Sequence, residues 1–147
     1  MPVKVLTTFV KGSPIAAFIK QNLRSRGMTF EGREVEQGGP WGFRHQFNIA
    51  DSGCGSRGPR VQNDRAGEVG RTLSLRDFDV DRIFGKEGVG ILHLSGLIAA
   101  LSPETGEFCL ELAKKAKQYG TAVSFDLNYR DSFWKAGRAS CTPYSPR

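Results

Sequence analysis

The sequence predicts an α/β fold in which a partial parallel sheet carries a small β excursion. Three observations lead to this class. A strand-like run over 3–10 passes directly into a helix pattern that ends near Gly27. A strand, a helix and a strand follow one another over 90–127, as in a βαβ unit. Between them, residues 30–72 are rich in glycine and alternate polar with apolar residues, which predicts strands outside the main sheet.

The first strand–helix unit is predicted from its residue types and its end signals. Residues 3–10 are apolar and mostly β-branched or aromatic. Ser13 is a good helix cap, Pro14 suits the first helical position and Gly27 suits the end. The apolar face expected of this helix comprises Ile15, Phe18, Ile19 and Leu23.

The excursion reads as an antiparallel hairpin. Residues 43–49 alternate apolar and polar side chains, and 60–65 are the predicted antiparallel partner. The glycine-rich loop over 52–59 contains a literal G-x-G-x-x-G run. That fingerprint needs a buried strand before it and a helix after it. The strand-like run after Pro59 offers no helix, so we interpret the match as a hairpin loop.

The βαβ unit is the clearest pattern in the chain. Residues 90–96 are a short apolar run bounded by glycines, as expected of a buried parallel strand. A helix is predicted from Ser102 and Pro103 to Gly120, and a strand over 121–127. The apolar stripe of this helix comprises Phe108, Cys109, Leu112, Ala113 and Ala116.

Composition describes a globular chain and excludes several classes of protein. Hydrophobic residues make up 39% of the 147 residues and charged residues 24%. We find no apolar run long enough for a membrane span and no signal-peptide pattern, so we expect a cytoplasmic protein. The three cysteines, at 54, 109 and 141, form no C-x-x-C pair and predict neither a disulfide framework nor a zinc site.

The formal net charge of +6 is a weak argument for a polyanionic partner. Half of it comes from Lys135, Arg138 and Arg147. These lie in 135–147, which has no acidic residue and no apolar period and is predicted to be a disordered tail.

Polar residues follow the last predicted strand, where ligands bind in open parallel sheets. Asp126 and Asn128 share one side of the strand, and Arg130 follows with a guanidinium suited to a carboxylate or phosphate. The alternative is that Asp126 caps a turn and Arg130 is a surface charge. His93, in an apolar strand, is predicted to be a hydrogen-bonded core residue rather than a base, and His45 has no partner that we can name.

The arginines of the excursion allow three interpretations. The cluster comprises Arg44, Arg57, Arg60 and Arg65. It is either a solvated hairpin, a contact for a small anion, or a nucleic-acid patch. The last is disfavoured because no nucleic-acid motif and no interleaved aromatic residues accompany it.

Three stretches, in this order, carry a family resemblance. Thr7–Gly27 matches an early strand–helix segment, although Ser13 and Ala16 stand where Asp and Gly are usual. Arg60–Gly67 matches a lid segment that ends in an arginine and small residues. Leu92–Arg130 matches a middle βαβ unit with a D-x-N-x-R ending. Together they resemble the ribokinase/PfkB family of carbohydrate kinases, most closely its 2-keto-3-deoxygluconate kinase-like members.

The resemblance implies a chemistry and roles for four residues. Members transfer the γ-phosphoryl group of ATP, with Mg²⁺, to a sugar hydroxyl. Asn63 and Arg65 would reach the sugar from the lid. Arg130 would contact the acidic sugar or the transferring phosphate, and Asn128 would lie near the phosphates and the metal.

The resemblance also implies an architecture and partners. Residues 1–134 would be part of a doubly wound, ribokinase-like sheet, and about 30–72 would be a β lid over the sugar. A sugar or sugar acid would be the small-molecule partner, and two copies would be able to pair through their lids. No nucleic-acid or membrane partner is expected, and no residue is assigned to a metal.

Two family segments are missing from the sequence. They are the Gly-Gly-Asn sugar-binding segment and the G-x-G-D motif, which supplies an anion hole and the catalytic Asp. We therefore expect an inactive amino-terminal half of a kinase with no catalytic residue of its own, and we hypothesise that the reading frame breaks near Lys135. A non-enzymatic module that binds a sugar acid or another anion is the alternative, and a dinucleotide-dependent oxidoreductase is less favoured.

Overall fold

The computed structural model describes residues 1–129, so the predicted tail over 135–147 lies outside the described residues. Packing divides the chain into two units, Met1–Gly70 and a second that begins at Arg71. Each unit mixes helices with strands, which confirms the predicted α/β class. Within residues 1–129 the strands form three two-stranded sheets, and two of these sheets are parallel.

The first unit opens with a strand, a helix and a strand. Strand β1 spans Lys4–Val10, helix α1 spans Pro14–Ser25 and strand β2 spans Thr29–Val35. The two strands pair in parallel along their full lengths. A helical crossover of this kind is what two neighbouring parallel strands require.

Helix α1 begins and ends as the sequence predicts. The Ser13 hydroxyl accepts hydrogen bonds from the backbone N–H groups of Ile15, at 3.2 Å, and Ala16, at 3.4 Å. Pro14 occupies the first turn, where its missing N–H costs nothing. Gly27 has φ +69°, a left-handed conformation that only glycine adopts freely. The chain therefore reverses there and returns as β2.

Strand β2 corrects the predicted extent of the excursion. The excursion over 30–72 includes β2, yet in the structure β2 is the parallel partner of β1. The sequence pattern does not indicate β2 as a strand of a parallel sheet, because five of its seven residues are Thr, Glu, Gly or Arg. Gly32 allows the close approach, since a Cβ there would collide with the backbone carbonyl oxygen of Thr7. The antiparallel part of the unit lies later in the chain.

The predicted antiparallel hairpin is present, although its first strand begins at Phe47 rather than at Phe43. Strand β3 spans Phe47–Asp51 and pairs with strand β4, Arg60–Asp64. The loop between them holds the G-x-G-x-x-G run, and there Gly53 has φ +80° and donates its N–H to the Asp51 carboxylate at 2.9 Å. Strand β4 follows without a helix, so the run is a hairpin loop, as predicted. Phe47, Ile49 and Val61 are exposed on this hairpin.

Phe9 lies at the centre of the core of the first unit. It is only 2% exposed, and its ring meets that of Phe30 edge-on at 5.6 Å between centroids. The Lys20 ammonium lies 4.5 Å from the centre of the same ring. Beside it, the buried Thr8 hydroxyl donates to the Val69 carbonyl at 3.0 Å, which removes the cost of burying that hydroxyl.

His45 is a buried residue of this core and has a partner that the sequence did not reveal. Its Nε2 accepts a hydrogen bond from the backbone N–H of Val10 at 3.3 Å. An imidazole can accept only at an unprotonated nitrogen, so the fold requires neutral His45. Burial, and then the positive charge of Lys20, lowers the pKa of His45 below its ordinary value of 6.5.

We expect the first unit to lose stability as the pH falls through the range in which His45 titrates. The unfolded chain takes up the proton at about pH 6.5, before the folded chain does. The stabilisation that neutral His45 gives the folded unit is therefore complete above about pH 6.5. It is lost as the pH falls through the pKa of His45 in the folded chain, which is the lower of the two pKa values. Urea unfolding between pH 8 and pH 5 measures it. His45→Gln should flatten the profile and His93→Gln should leave it unchanged; equal profiles for the wild type and His45→Gln would contradict the assignment.

The second unit contains the predicted βαβ pattern. Strand β5 spans Ile91–Ser95, a short helix α2 spans Gly96–Ala99, helix α3 spans Pro103–Gln118 and strand β6 spans Ala122–Asp126. Strands β5 and β6 pair in parallel. Single turns of 3₁₀ or π helix precede them, at Val69–Thr72, Leu75–Asp77 and Arg82–Gly88.

Helix α3 supplies the core of the second unit. Ser102 caps it by accepting the Thr105 N–H at 3.2 Å, and Leu112 is fully buried. Four of the five predicted stripe members, Phe108, Cys109, Leu112 and Ala116, are buried, and Ala113 is half-buried. Burial raises the pKa of the Cys109 thiol to about 11, so this cysteine stays a protonated core residue.

Strand β6 and the residues after it are open to solvent. Phe125, Leu127 and Tyr129 are each at least half exposed, whereas Leu92 and Leu94 of the neighbouring strand are buried. Within the described residues, β6 has β5 as its one strand neighbour. Among residues 1–129, no helix is both long enough and apolar enough to span a bilayer.

Candidate functional site

The carboxyl ends of β5 and β6 bring three polar side chains together in the second unit. Ser95 and Asp126 end the two strands and lie opposite each other. Asn128 donates its side-chain amide to the Ser95 hydroxyl at 3.2 Å and its backbone N–H to the Asp126 carboxylate at 3.0 Å. The strand-end cluster, defined as Ser95, Asp126 and Asn128, is therefore preorganised by its own hydrogen bonds.

The backbone of the strand-end cluster is unusual at two places. Asn128 has φ +35°, in the left-handed region that Asn enters more readily than most residues. Gly96, immediately after Ser95, lies so close to the Leu127 carbonyl oxygen that a Cβ would collide with it. The Ser95 hydroxyl also accepts the Leu97 N–H at 3.3 Å and so caps α2. The two strand ends are held together tightly enough to fix the positions of their side chains.

The predicted members of this cluster have different outcomes. Asp126 and Asn128 are brought together. Asp126 caps a turn, as the alternative interpretation of this motif predicted. Arg130 lies outside the described residues. Ser95 was not singled out from the sequence, although a serine that ends a buried strand just before a glycine could have suggested it.

The second group of predicted residues lies at the end of the hairpin in the first unit. Asn63 is exposed on β4, opposite Asn48. Arg65 follows that strand, and its Nη1 donates to both carboxylate oxygens of Glu68, at 3.1 and 2.9 Å. The sequence did not indicate Glu68 as this partner. A guanidinium held by a buried carboxylate is a preorganised donor group.

Arg44 holds the turn that carries Arg65. Its Nε donates to the Ala66 carbonyl at 2.6 Å and its Nη2 to the Asp64 carboxylate at 2.9 Å. Its backbone pairs with the far side of the turn, since Arg44 N–H donates to Gly67 and its carbonyl accepts from Val69. The turn over 64–68 is therefore fixed by both the side chain and the backbone of one residue.

The basic cluster of the excursion is largely neutralised within the unit. Arg44 pairs with Asp64, Arg57 with Asp51 at 2.6 Å, and Arg65 with Glu68. Arg60 is exposed on β4. Of the three interpretations, the nucleic-acid patch is weakened, because paired guanidinium groups contribute little net positive potential.

His93 is hydrogen-bonded, as predicted, but it is not a core residue. Its Nδ1 lies 3.1 Å from the hydroxyl of Ser124, directly opposite on β6, and both side chains are exposed. The error arose because a short apolar strand suggests burial on both faces, whereas this face of β5 is open. Among residues 1–129 no group of three His, Cys, Asp or Glu side chains could hold a metal ion.

A cavity of about 650 Å³ opens beside α1 in the first unit. Its polar lining comes from five side chains: Ser13, Lys20, Gln21, Arg24 and Glu34. The Lys20 ammonium is 2.5 Å from the Glu34 carboxylate, which lowers the pKa of Glu34. None of the predicted site residues lines this cavity.

The sequence of the chain is similar to that of a sugar-acid kinase. Over 96 residues, or 62% of this chain, it is 33% identical to 2-dehydro-3-deoxygalactonokinase from Haloferax volcanii, of which it covers 29%. No model of a known protein family matches the chain.

The fold is similar to that of solved carbohydrate kinases. A PfkB-family carbohydrate kinase from Listeria grayi matches with a TM-score of 0.74 and 28% identity, over 94% of this chain and 42% of that one. A 2-dehydro-3-deoxygluconokinase from Thermotoga maritima matches with a TM-score of 0.74 and 26% identity, over 89% and 38%. The chain thus spans less than half the length of the relatives that it matches. In sequence and in fold, it resembles the PfkB-family carbohydrate kinases, the family that its motifs predicted.

Proposed function

We propose that this chain is the sugar-binding part of an ATP-dependent kinase for a sugar acid such as 2-keto-3-deoxygluconate, and that it does not catalyse phosphoryl transfer by itself. The observation that carries the proposal is the strand-end cluster, with its D-x-N ending, in a chain whose fold matches sugar kinases over 94% of its length. In the proposed roles, Arg130 binds the carboxylate or the transferring phosphate, and Asn63 and Arg65 contact the sugar from the lid.

The strand-end cluster fits the cofactor that the proposal requires. Mg²⁺ prefers hard oxygen ligands, and the Asp126 carboxylate and the Asn128 side-chain amide each carry oxygen of this kind. In phosphoryl transfer, ATP supplies the phosphoryl group and the metal neutralises its charge. This chain's own contribution would be to position groups near the phosphates through Asn128, which Ser95 holds in place.

The proposed inactivity rests on a missing chemical group. The family base is the Asp of G-x-G-D, and no such motif occurs in the 147 residues. Asp126 does not replace it, because it belongs to the D-x-N-x-R ending, which is a different motif. The alternative, a non-enzymatic module that binds a sugar acid, is supported by the same arginines. Exposed Phe47, Ile49 and Val61 support the further proposal that two copies pair through their hairpins.

We expect the purified chain to bind 2-keto-3-deoxygluconate without phosphorylating it. Arg130→Ala should weaken binding by about ten-fold or more, because a charge-assisted contact to the carboxylate is lost. Calorimetry measures binding and a coupled ADP assay measures turnover. Arg60→Ala, at an exposed arginine of the hairpin, is the matched control and should leave binding unchanged.

Each outcome of this experiment bears on a separate part of the proposal. Turnover by the chain alone would contradict the proposed inactivity and support the kinase assignment. Equal binding by the wild type and Arg130→Ala would remove Arg130 from the site. Absence of binding by the wild type would contradict the sugar-binding function.

A further inference from the structure

The Arg65–Glu68 pair is less exposed to solvent than the other arginine–carboxylate pairs described in the hairpin region. Both carboxylate oxygens of Glu68 accept from Arg65 Nη1, and the side chains are only 20% and 10% exposed. Most ion pairs of the first unit are more exposed, for example Lys11 with Glu36. A pair that is withdrawn from water keeps its geometry and its charges interact more strongly.

The surroundings of the pair fix Glu68 in place. Its N–H donates to the Arg65 carbonyl at 3.2 Å, and the next residue, Val69, is held by Arg44 and by the Thr8 hydroxyl. Gly70 lies beside the carboxylate, where a Cβ would come within 3.4 Å of the Glu68 oxygen. Glu68 is therefore a fixed anion at the one arginine that this turn presents.

We propose that Glu68 makes Arg65 selective for the hydroxyl groups of a sugar and against its carboxylate. The inference rests on the proposed sugar-binding function and specifies which part of the ligand this turn recognises. A second carboxylate approaching Arg65 would share one guanidinium with Glu68, and the two like charges would repel in a poorly hydrated place. A hydroxyl instead accepts from the arginine and donates to the carboxylate, so both partners are satisfied.

This arrangement discriminates by repulsion as well as by attraction. Specific sites commonly reject the wrong ligand by placing a charge against it. Glu68 acts here as a positioning and specificity-determining residue, because it orients Arg65 and sets the charge that a ligand meets. The carboxylate of a sugar acid is then directed away from the hairpin turn.

The test uses the full chain and two matched probes, gluconate and the uncharged polyol glucitol. Binding is followed at the Arg65 side-chain N–H signal by NMR. Glu68→Gln keeps the shape of the side chain and removes its charge, so it should bind gluconate about ten-fold more tightly and glucitol within two-fold of the wild type. Glu68→Asp keeps the charge and should retain the wild-type preference. Glu36→Gln, at an exposed acid of the same unit, should change neither affinity.

A measurement on the wild type alone tests the proposal even if a variant does not fold. Acetate, a carboxylate without hydroxyls, should leave the Arg65 signal in place, whereas glucitol should shift it. A shift with acetate equal to that with glucitol would overturn the proposal. So would a Glu68→Gln variant that gains no affinity for gluconate, or that gains equally for both probes.

The outcomes separate this inference from the proposed function. If the wild type binds sugar acids but Glu68→Gln leaves their preference unchanged, the selectivity is wrong and the sugar-binding function stands. If neither probe nor 2-keto-3-deoxygluconate binds the wild type, both are wrong.

Discussion

Replacing Phe9 with alanine should lower the free energy of unfolding of the first unit by about 3 to 5 kcal/mol, because it empties the centre of that unit's core. Phe9 is almost completely buried, and it packs edge-on against Phe30. Lys20 also loses the ring over which its ammonium lies. Phe9 and Phe30 lie on two strands that are fixed by their pairing, so the surrounding side chains can relax only partly into the space.

Urea unfolding followed by circular dichroism measures the loss. Phe18→Ala, at a phenylalanine that is 66% exposed on α1, is the matched control and should cost less than about 1 kcal/mol. A loss for Phe9→Ala that is no larger than for this control would show that the ring is not part of a packed core.

Gly96→Ala is expected to destabilise the second unit by about 3 kcal/mol and to disrupt the strand-end cluster. The added Cβ would collide with the backbone carbonyl oxygen of Leu127, the residue that directly follows β6. The end of β6 would have to shift away from β5, and the hydrogen bond from Asn128 to Ser95 would lengthen or break. The same residue therefore affects both stability and the candidate site.

Two readouts together test the role of Gly96. Urea unfolding gives the stability, and the side-chain amide signals of Asn128 report its hydrogen bond by NMR. Gly90→Ala is the control, since a Cβ there meets nothing within 4 Å. Unchanged Asn128 signals in Gly96→Ala would contradict the view that close packing at Gly96 positions the cluster.

The parts of the fold that could be predicted are those determined by local sequence signals. Helix α1 has a capping serine, a proline and a closing glycine, and α3 has an apolar stripe beside its Ser102 cap. Strand β2 does not follow from the local sequence, because its pairing with β1 determines its conformation. Its polar residues suit a strand only because Gly32 lets it lie against β1.

The candidate site was predictable to the extent that its residues are neighbours in sequence. Asp126 and Asn128 are two residues apart, and an Asp commonly accepts the backbone N–H two residues further on in a turn, so their contact is local. Ser95 joins them from 33 positions away through a parallel pairing that the sequence does not specify residue by residue. The pairing of Arg65 with Glu68 depends on a turn shaped by Arg44, and no local pattern predicts that shape.

The exposed residues at the end of strand β6 and directly after it lie next to the strand-end cluster. Exposed Phe125, Leu127 and Tyr129 alternate there with Asp126 and Asn128. Exposed apolar side chains next to a strand edge promote self-association, so we expect this stretch, as the described residues leave it, to lower the solubility of the chain. A polar substitution made to improve solubility at any of the three would fall next to a residue of the strand-end cluster. Solubility and recognition therefore cannot be engineered independently at this place in the molecule.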